Sequence, residues 1–480
     1  MVLGKKGEYC IITMVSFYVY DITFLVLFTI GVVFFLRTRK KDLSKEGWMF
    51  MYRTKFGVKA MTWFDDKFHN LLGALRYVVV GLGYVLMITM VYLLAQTVWL
   101  YIKEPRIVEA IKAPPIAPLI PYFPELFGLK SIFPPFYFTY FLIALAIVAI
   151  VHEFAHGIFM RYSKTKIKST GLVFLGPILG AFVEEDKKSF TSKNRFNQMA
   201  VLAAGVFANV LFAALFYLLY IGMFYLTFTA SGFTFNSYAL NTVNITDVTD
   251  TYELGNYTVL ETGEGLYYMD EGLVSQLDPS YELGRDYYIV YEDSPAFNAQ
   301  LKGVIVGIDE HHIREDADLT TVLSQYSPGE TVTVYTDLNG EQMLFDVVLS
   351  EHPQEEGRGF LGVAYYEPEQ RGFVRNFLAN LMGFRLGSTY YTPTVNADIV
   401  YFFYHLLWWI MIINVLVALF NMLPLGILDG GRFFYLTVDK FFGEKIAEKA
   451  FMWVSKLIFA SFILVMIVWA YRWTLLSLGV

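Results

Sequence analysis

The sequence predicts a polytopic α-helical membrane protein with about six transmembrane helices and one extracytoplasmic, mostly-β domain. Three observations predict it. First, 56% of the 480 residues are hydrophobic and only 17% are charged, with a mean hydropathy of +0.46; this is far from a soluble globular balance. Second, six apolar runs each approach or exceed the roughly 20 residues needed to cross a bilayer as a helix. Third, the charge is segregated. Residues 230–375 carry 6 Lys+Arg and 26 Asp+Glu, a net of −20, while the remainder carries 31 and 18, a net of +13.

The runs lie at about 11–36, 77–102, 136–160, 198–229, 399–424 and 450–471. The first is too long for a signal-peptide core and lacks a small-residue cleavage site, so it reads as a retained anchor. Arg37, Arg39, Lys40 and Lys41 follow the first run. Arg161, Lys164, Lys166 and Lys168 follow the third, and Arg432, Lys440, Lys445 and Lys449 follow the fifth. Basic loops face the cytoplasm, so both termini and the acidic region are expected outside. Basic residues scattered at membrane edges are explained by anchoring in the lipid bilayer, and nucleic acid is not an expected partner. The single Cys10 excludes an intramolecular disulfide.

These boundaries suggest four regions. Residues 1–135 form a transmembrane pair with a cytoplasmic loop and an outer segment, 105–135, that holds eight prolines and reads as a linker or surface lid. Residues 136–229 and 376–480 form two halves of a membrane core. Residues 230–375 form the exterior domain.

The most informative motif is His152-Glu153-Phe154-Ala155-His156, at the end of the third run. On a helix, the two histidines project from one face and can share a zinc ion, with Glu153 placed to act as general base toward water. Ionisable side chains at bilayer depth are costly and imply a function. The second motif closes the fifth run: Asn421-Met-Leu-Pro424-Leu-Gly426-Ile-Leu-Asp429-Gly430-Gly431. Pro424 should end the helix, and the glycines permit irregular backbone beyond it. Catalytic zinc usually takes three protein ligands, and His152, His156 and Asp429 complete that set for one Zn²⁺ per chain.

Together, these motifs resemble the site-2 protease family of intramembrane zinc metalloproteases. Two further stretches are similar to family features. Gly205 and Asn209 match its G-x-x-x-N helix, and Gly176 to Asp186 matches its membrane re-entrant hairpin. The resemblance covers about 136–229 and 399–471. It implies hydrolysis of peptide bonds in single-span membrane-protein substrates. It also implies that Asn421 holds substrate backbone or the developing oxyanion; by residue type alone Asn421 could instead cap the broken helix.

In the exterior domain, Asp286 to Glu292 reads as a strand leading into the turn Asp293-Ser-Pro-Ala296. Leu301 to Asp309 follows it, and Ala317 to Tyr326 is expected to form a short helix. Thr331–Thr336 and Gln342–Leu349 flank Asn339-Gly340, a strong hairpin signal. The order over about 285–366 looks like a PDZ domain, which implies a groove for a peptide or a free C-terminus. Region 232–285 is polar and strand-like without an assignment. His311, His312 and His352 read as surface histidines. Asp21 and His405 read as interfacial groups or groups facing a water-filled cleft.

Two other function classes fit parts of the pattern. A membrane metallopeptidase of the prenyl-protein type shares HExxH but takes its third ligand from a Glu-containing helix, which the Asn421/Pro424/Asp429 motif opposes. A channel or receptor that retains the HExxH helix for structure needs no zinc.

Overall fold

The computed structural model describes residues 17–103, 114, 121–122, 134–176, 178–255, 257–263, 265–270, 286–338, 340–366, 381 and 383–477. The start of the first run and nearly all of the proline-rich segment lie outside these residues. The chain divides into two compact units, Met1–Gly222 with Tyr401–Val480, and Met223–Val400.

The first unit is built on helices α1 (Phe17–Thr38), α2 (Val58–Lys103), α3 (Phe138–Tyr162), α4 (Arg195–Thr227), α5 (Ala397–Asn421), α6 (Asp429–Phe442) and α7 (Glu444–Ser477). All but α6 are long and apolar enough to cross a membrane, which accounts for the six expected spans. α2 is longer than its apolar run because Lys59, Asp65, Asp66 and Lys67 extend it ahead of the non-helical residue Phe68. α5 stops at Asn421, three residues before Pro424, as expected for a residue that cannot continue a helix.

Asp21 departs from its sequence reading. It is 1% exposed, and its carboxylate accepts the backbone N–H groups of Phe138 at 2.7 Å and Thr139 at 2.9 Å. The Tyr122 and Thr139 hydroxyls also donate to it. Tyr137 at the start of α3 provides no side-chain cap. The acid of α1 therefore supplies the cap from another helix, with its negative charge at the positive end of the α3 dipole. It faces protein, not a water-filled cleft.

The unit also holds a four-stranded antiparallel sheet in the order β1 (Leu43–Glu46), β2 (Met49–Thr54), β3 (Ile167–Leu175), β4 (Ile178–Glu185). β3 and β4 form the expected hairpin, with Leu175 paired to Ile178. β1 and β2, in the loop read only as basic, extend it. Arg53 ties the layers together by donating to Glu184 at 3.2 Å, to Glu46 at 2.6 Å and to the Ser44 hydroxyl.

The second unit is mostly β. The region left unassigned, 232–285, contributes strands to a five-stranded antiparallel sheet: Leu240–Asn244, Val248–Leu254, Tyr257–Thr262 and Gly265–Met269. The expected strand Tyr287–Glu292 joins this sheet, between Leu240–Asn244 and Gly265–Met269. Within the stretch Leu301–Asp309, the strand Val304–Ile308 pairs with Thr331–Leu338 and Phe228–Phe233. Thr331–Leu338 also pairs with Glu341–Val348, with Leu338 opposite Glu341. The short helix runs over Asp316–Leu323 and buries Leu319, Val322 and Leu323.

Candidate metal centre

His152 and His156 sit on α3, one turn apart, and both are buried. Their Nε2 atoms lie 3.0 Å apart. Asp429, the first residue of α6, places Oδ2 3.2 Å from each of them. The third vertex is 277 positions from His152 in sequence. Three lone-pair donors at 3.0–3.2 Å form a near-equilateral triangle. Ligands spaced tetrahedrally around zinc at roughly 2.0–2.1 Å lie about 3.3 Å from one another, so the donor set fits that ion in both chemistry and spacing.

The triangle exists because the neighbouring backbone approaches closely. A Cβ at Gly205 of α4 would fall 2.5 Å from His156 Nε2 and 2.6 Å from His152 Cε1; only glycine lets α4 lie against the two imidazoles. A Cβ at Gly431 would fall 2.0 Å from the Leu425 carbonyl oxygen, so the first turn of α6 stacks directly on the chain that follows Pro424. α6 is then fixed along its length. Arg432 donates to Glu185 of β4 at 2.8 Å, Arg195 of α4 to Asp439 at 2.6 Å, and Tyr84 and Thr437 share a hydrogen bond of 3.1 Å.

Both imidazoles are held from behind. His156 Nδ1 lies 2.7 Å from the Val201 carbonyl oxygen and donates to it, which leaves Nε2 free to ligate. His152 Nδ1 faces the Asn209 side-chain amide at 3.1 Å. Glu153 points toward β4, and its Oε2 accepts the Val183 backbone N–H at 2.8 Å. Asn421 is half-buried at the end of α5, with no side-chain hydrogen bond among the described residues; the capping role is not what its amide does.

Sequence reasoning marked His152, Glu153, His156 and Asp429, and the structure gathers them. It also flagged Gly205 and Asn209, whose places beside the histidines follow from the G-x-x-x-N spacing on one helix face. It missed Val183, which acts through its backbone and leaves no side-chain signal. It also missed the Glu185–Arg432 pair, two surface charges 247 positions apart.

A family model described as Peptidase family M50 matches residues 140–465. An uncharacterized protein of Methanocaldococcus jannaschii is 44% identical over 71 residues, which is 15% of this chain and 19% of that protein. The chain thus spans about a fifth of that relative's length.

Proposed function

The chain belongs to peptidase family M50, and from that premise we propose that it is an intramembrane zinc metalloprotease that hydrolyses peptide bonds within transmembrane segments of single-span membrane proteins. The observation that carries this reading is the triangle of His152, His156 and Asp429 beside Glu153, among helices apolar enough to cross a membrane. Zinc, when bound, supplies polarisation of the scissile carbonyl and a more acidic water. Glu153 takes the proton of the attacking water and returns it to the leaving amine. The amide of Asn421 holds substrate backbone or the oxygen on which negative charge develops.

A substrate helix hides its carbonyls in its own hydrogen bonds, so it must unwind before it is cut. β4 offers a place for the unwound strand. It is an outer strand of its sheet, and the Val183 N–H that reaches Glu153 marks the edge that faces the site. Leu179 and Ala181, at the same side-to-side period, project backbone groups from that edge. A peptide paired there would run toward Glu153. The basic loops after alternate spans support a cytoplasmic position for the site, with the second unit and both termini outside. The second unit, in this reading, selects substrates through its PDZ-like portion.

The test is cleavage by purified protein of a library of single-span substrates, with and without a chelator, followed by mapping of the products. Chelator-sensitive cuts inside the transmembrane segment are expected. Cleavage that persists without metal, or no cleavage of any substrate by zinc-loaded protein, overturns the reading.

A further inference from the structure

Behind the metal centre, two fully buried amides each leave an oxygen without a partner among the described residues. Asn209 of α4 and Asn414 of α5 are both 0% exposed, and neither Oδ1 has a hydrogen bond. Two buried acceptors left unpaired keep the full desolvation cost of burial, so native structures rarely retain them. The Asn209 contact with His152 is also mismatched as drawn. An imidazole that ligates through Nε2 carries its proton on Nδ1, yet the Asn209 group nearest that Nδ1 is the donor Nδ2, at 3.1 Å. Exchanging the amide O and N of Asn209 leaves its shape unchanged and gives the His152 Nδ1–H an acceptor.

The exchange has a second effect, because Asn414 lies at the same level. α4 and α5 run antiparallel. Tyr220 stacks on Tyr404 with ring centroids 4.1 Å apart, and one core cluster contains both Met199–Val206 of α4 and Ala418 of α5 with Met422 just beyond it. Asn209 is eleven residues from Tyr220 and Asn414 is ten from Tyr404, in opposite chain directions. At 1.5 Å per residue these are about 16 Å and 15 Å. With its Nδ2 turned away from His152, Asn209 lies at the helix level that carries the orphaned Asn414 Oδ1. Asn414 Nδ2 already donates to the Ile410 carbonyl at 2.8 Å.

We propose that His152, Asn209 and Asn414 form a buried hydrogen-bond relay: His152 Nδ1–H to Asn209 Oδ1, Asn209 Nδ2–H to Asn414 Oδ1, and Asn414 Nδ2–H to the Ile410 carbonyl. The two asparagines are positioning residues. They fix the tautomer and ring orientation of a metal ligand, and they couple α3 to the helix that leads into Asn421 and Asp429. The inference rests on the metallopeptidase reading of the His152/His156/Asp429 site.

The test is zinc affinity, measured by chelator competition on the full-length purified protein, with the absorption spectrum of the cobalt-substituted protein as a report on geometry. Asn209→Leu should weaken zinc binding by about 10- to 100-fold, the usual cost of losing an outer partner of a ligating histidine. Asn209→Asp retains the acceptor for His152 but loses the donor to Asn414, so it should weaken binding less than Asn209→Leu. Asn414→Leu should also weaken binding, although Asn414 touches no ligand, and the double Leu variant should bind no worse than Asn209→Leu alone. Where Asn414→Leu does not fold, Asn414→Asp, which keeps the acceptor, should retain wild-type affinity and an unchanged cobalt spectrum. Equal losses in Asn209→Asp and Asn209→Leu, unaltered affinity in folded Asn414→Leu, additive losses in the double variant, or weakened binding in Asn414→Asp would each overturn the relay. Wild-type protein that binds no zinc would instead overturn the metallopeptidase reading.

Discussion

Glu153 Oε2 accepts the Val183 backbone N–H at 2.8 Å, so the proposed general base is anchored to the strand edge proposed to receive substrate. The same carboxylate belongs to the helix that carries both histidines. The roles proposed for proton transfer, metal ligation and peptide positioning thus fall on one turn of α3 and one residue of β4.

Replacing Glu153 with Gln tests the first of these roles alone. The amide oxygen of Gln can still accept from Val183, but the side chain cannot take a proton. Glu153→Gln should bind one zinc per chain and lose cleavage by about 10² or more, the scale of a general-base contribution. Zinc content by elemental analysis and single-turnover cleavage check the two halves. Near-wild-type cleavage would remove Glu153 from the mechanism.

Gly205→Ala tests the closeness of α4 to the metal centre. The added methyl would fall 2.5 Å from His156 Nε2 and 2.7 Å from His152 Nδ1, well inside contact distance. Overpacking of this kind costs about 1–3 kcal/mol. Either the imidazoles turn or α4 retreats, and both spread the ligand triangle. Zinc affinity should fall by about tenfold or more while the helical content remains. Unchanged chelator competition would show that α4 does not pack on the histidines.

The membrane helices and the metal triangle were legible in the sequence because each has a strong local signal. Apolar runs mark spans, and two histidines one turn apart mark a shared face. Asp429 was legible only through its partner motif, since nothing local distinguishes a ligating aspartate from a solvated one. β1 and β2 were missed because Arg37 to Lys41 dominates that stretch. The Gly47 turn, at φ +60, and the short apolar run Met49–Tyr52 after it were the available cues. Asp21 was misread because a buried carboxylate and an interfacial one look alike until the N–H groups of Phe138 and Thr139 are seen to converge on it. Strand Tyr287–Glu292 was placed correctly along the chain, but its sheet was not, because pairing partners are non-local.

The junction between β2 and β4 should respond to acid. Hydrogen bonds from Lys168, Ser169 and Arg53 hold the Glu184 carboxyl down at about 2, below its ordinary 4.5. A depressed carboxylate pKa contributes stability that is fully present above the unfolded value and is lost as pH falls through the folded one. The wild-type protein should therefore be more thermostable than Glu184→Gln at pH 6, with the gap closing between about 4.5 and about 2. Melting curves of both proteins across that window check it. A gap that stays constant with pH would show that the ionised carboxylate is not what joins these strands.

The second unit offers a clean excision. Thr234 donates its backbone N–H to the Ser388 carbonyl at 2.7 Å, next to the ladder in which Phe228–Phe233 pairs with Thr389–Pro393. Joining Thr234 to Ser388 through Asn-Gly, which favours a two-residue hairpin loop, removes residues 235–387 and retains the ladder. The excised part holds no member of the metal triangle, so zinc content should be unchanged. Cleavage of a short, already trimmed single-span substrate should also persist. If the second unit excludes bulky ectodomains, substrates that retain theirs should be cut faster by the excised protein than by the full chain. Comparing the two substrates on both proteins separates gating from catalysis. Loss of cleavage of every substrate in a folded, zinc-loaded excision variant would mean that the second unit takes part in catalysis and does not gate it.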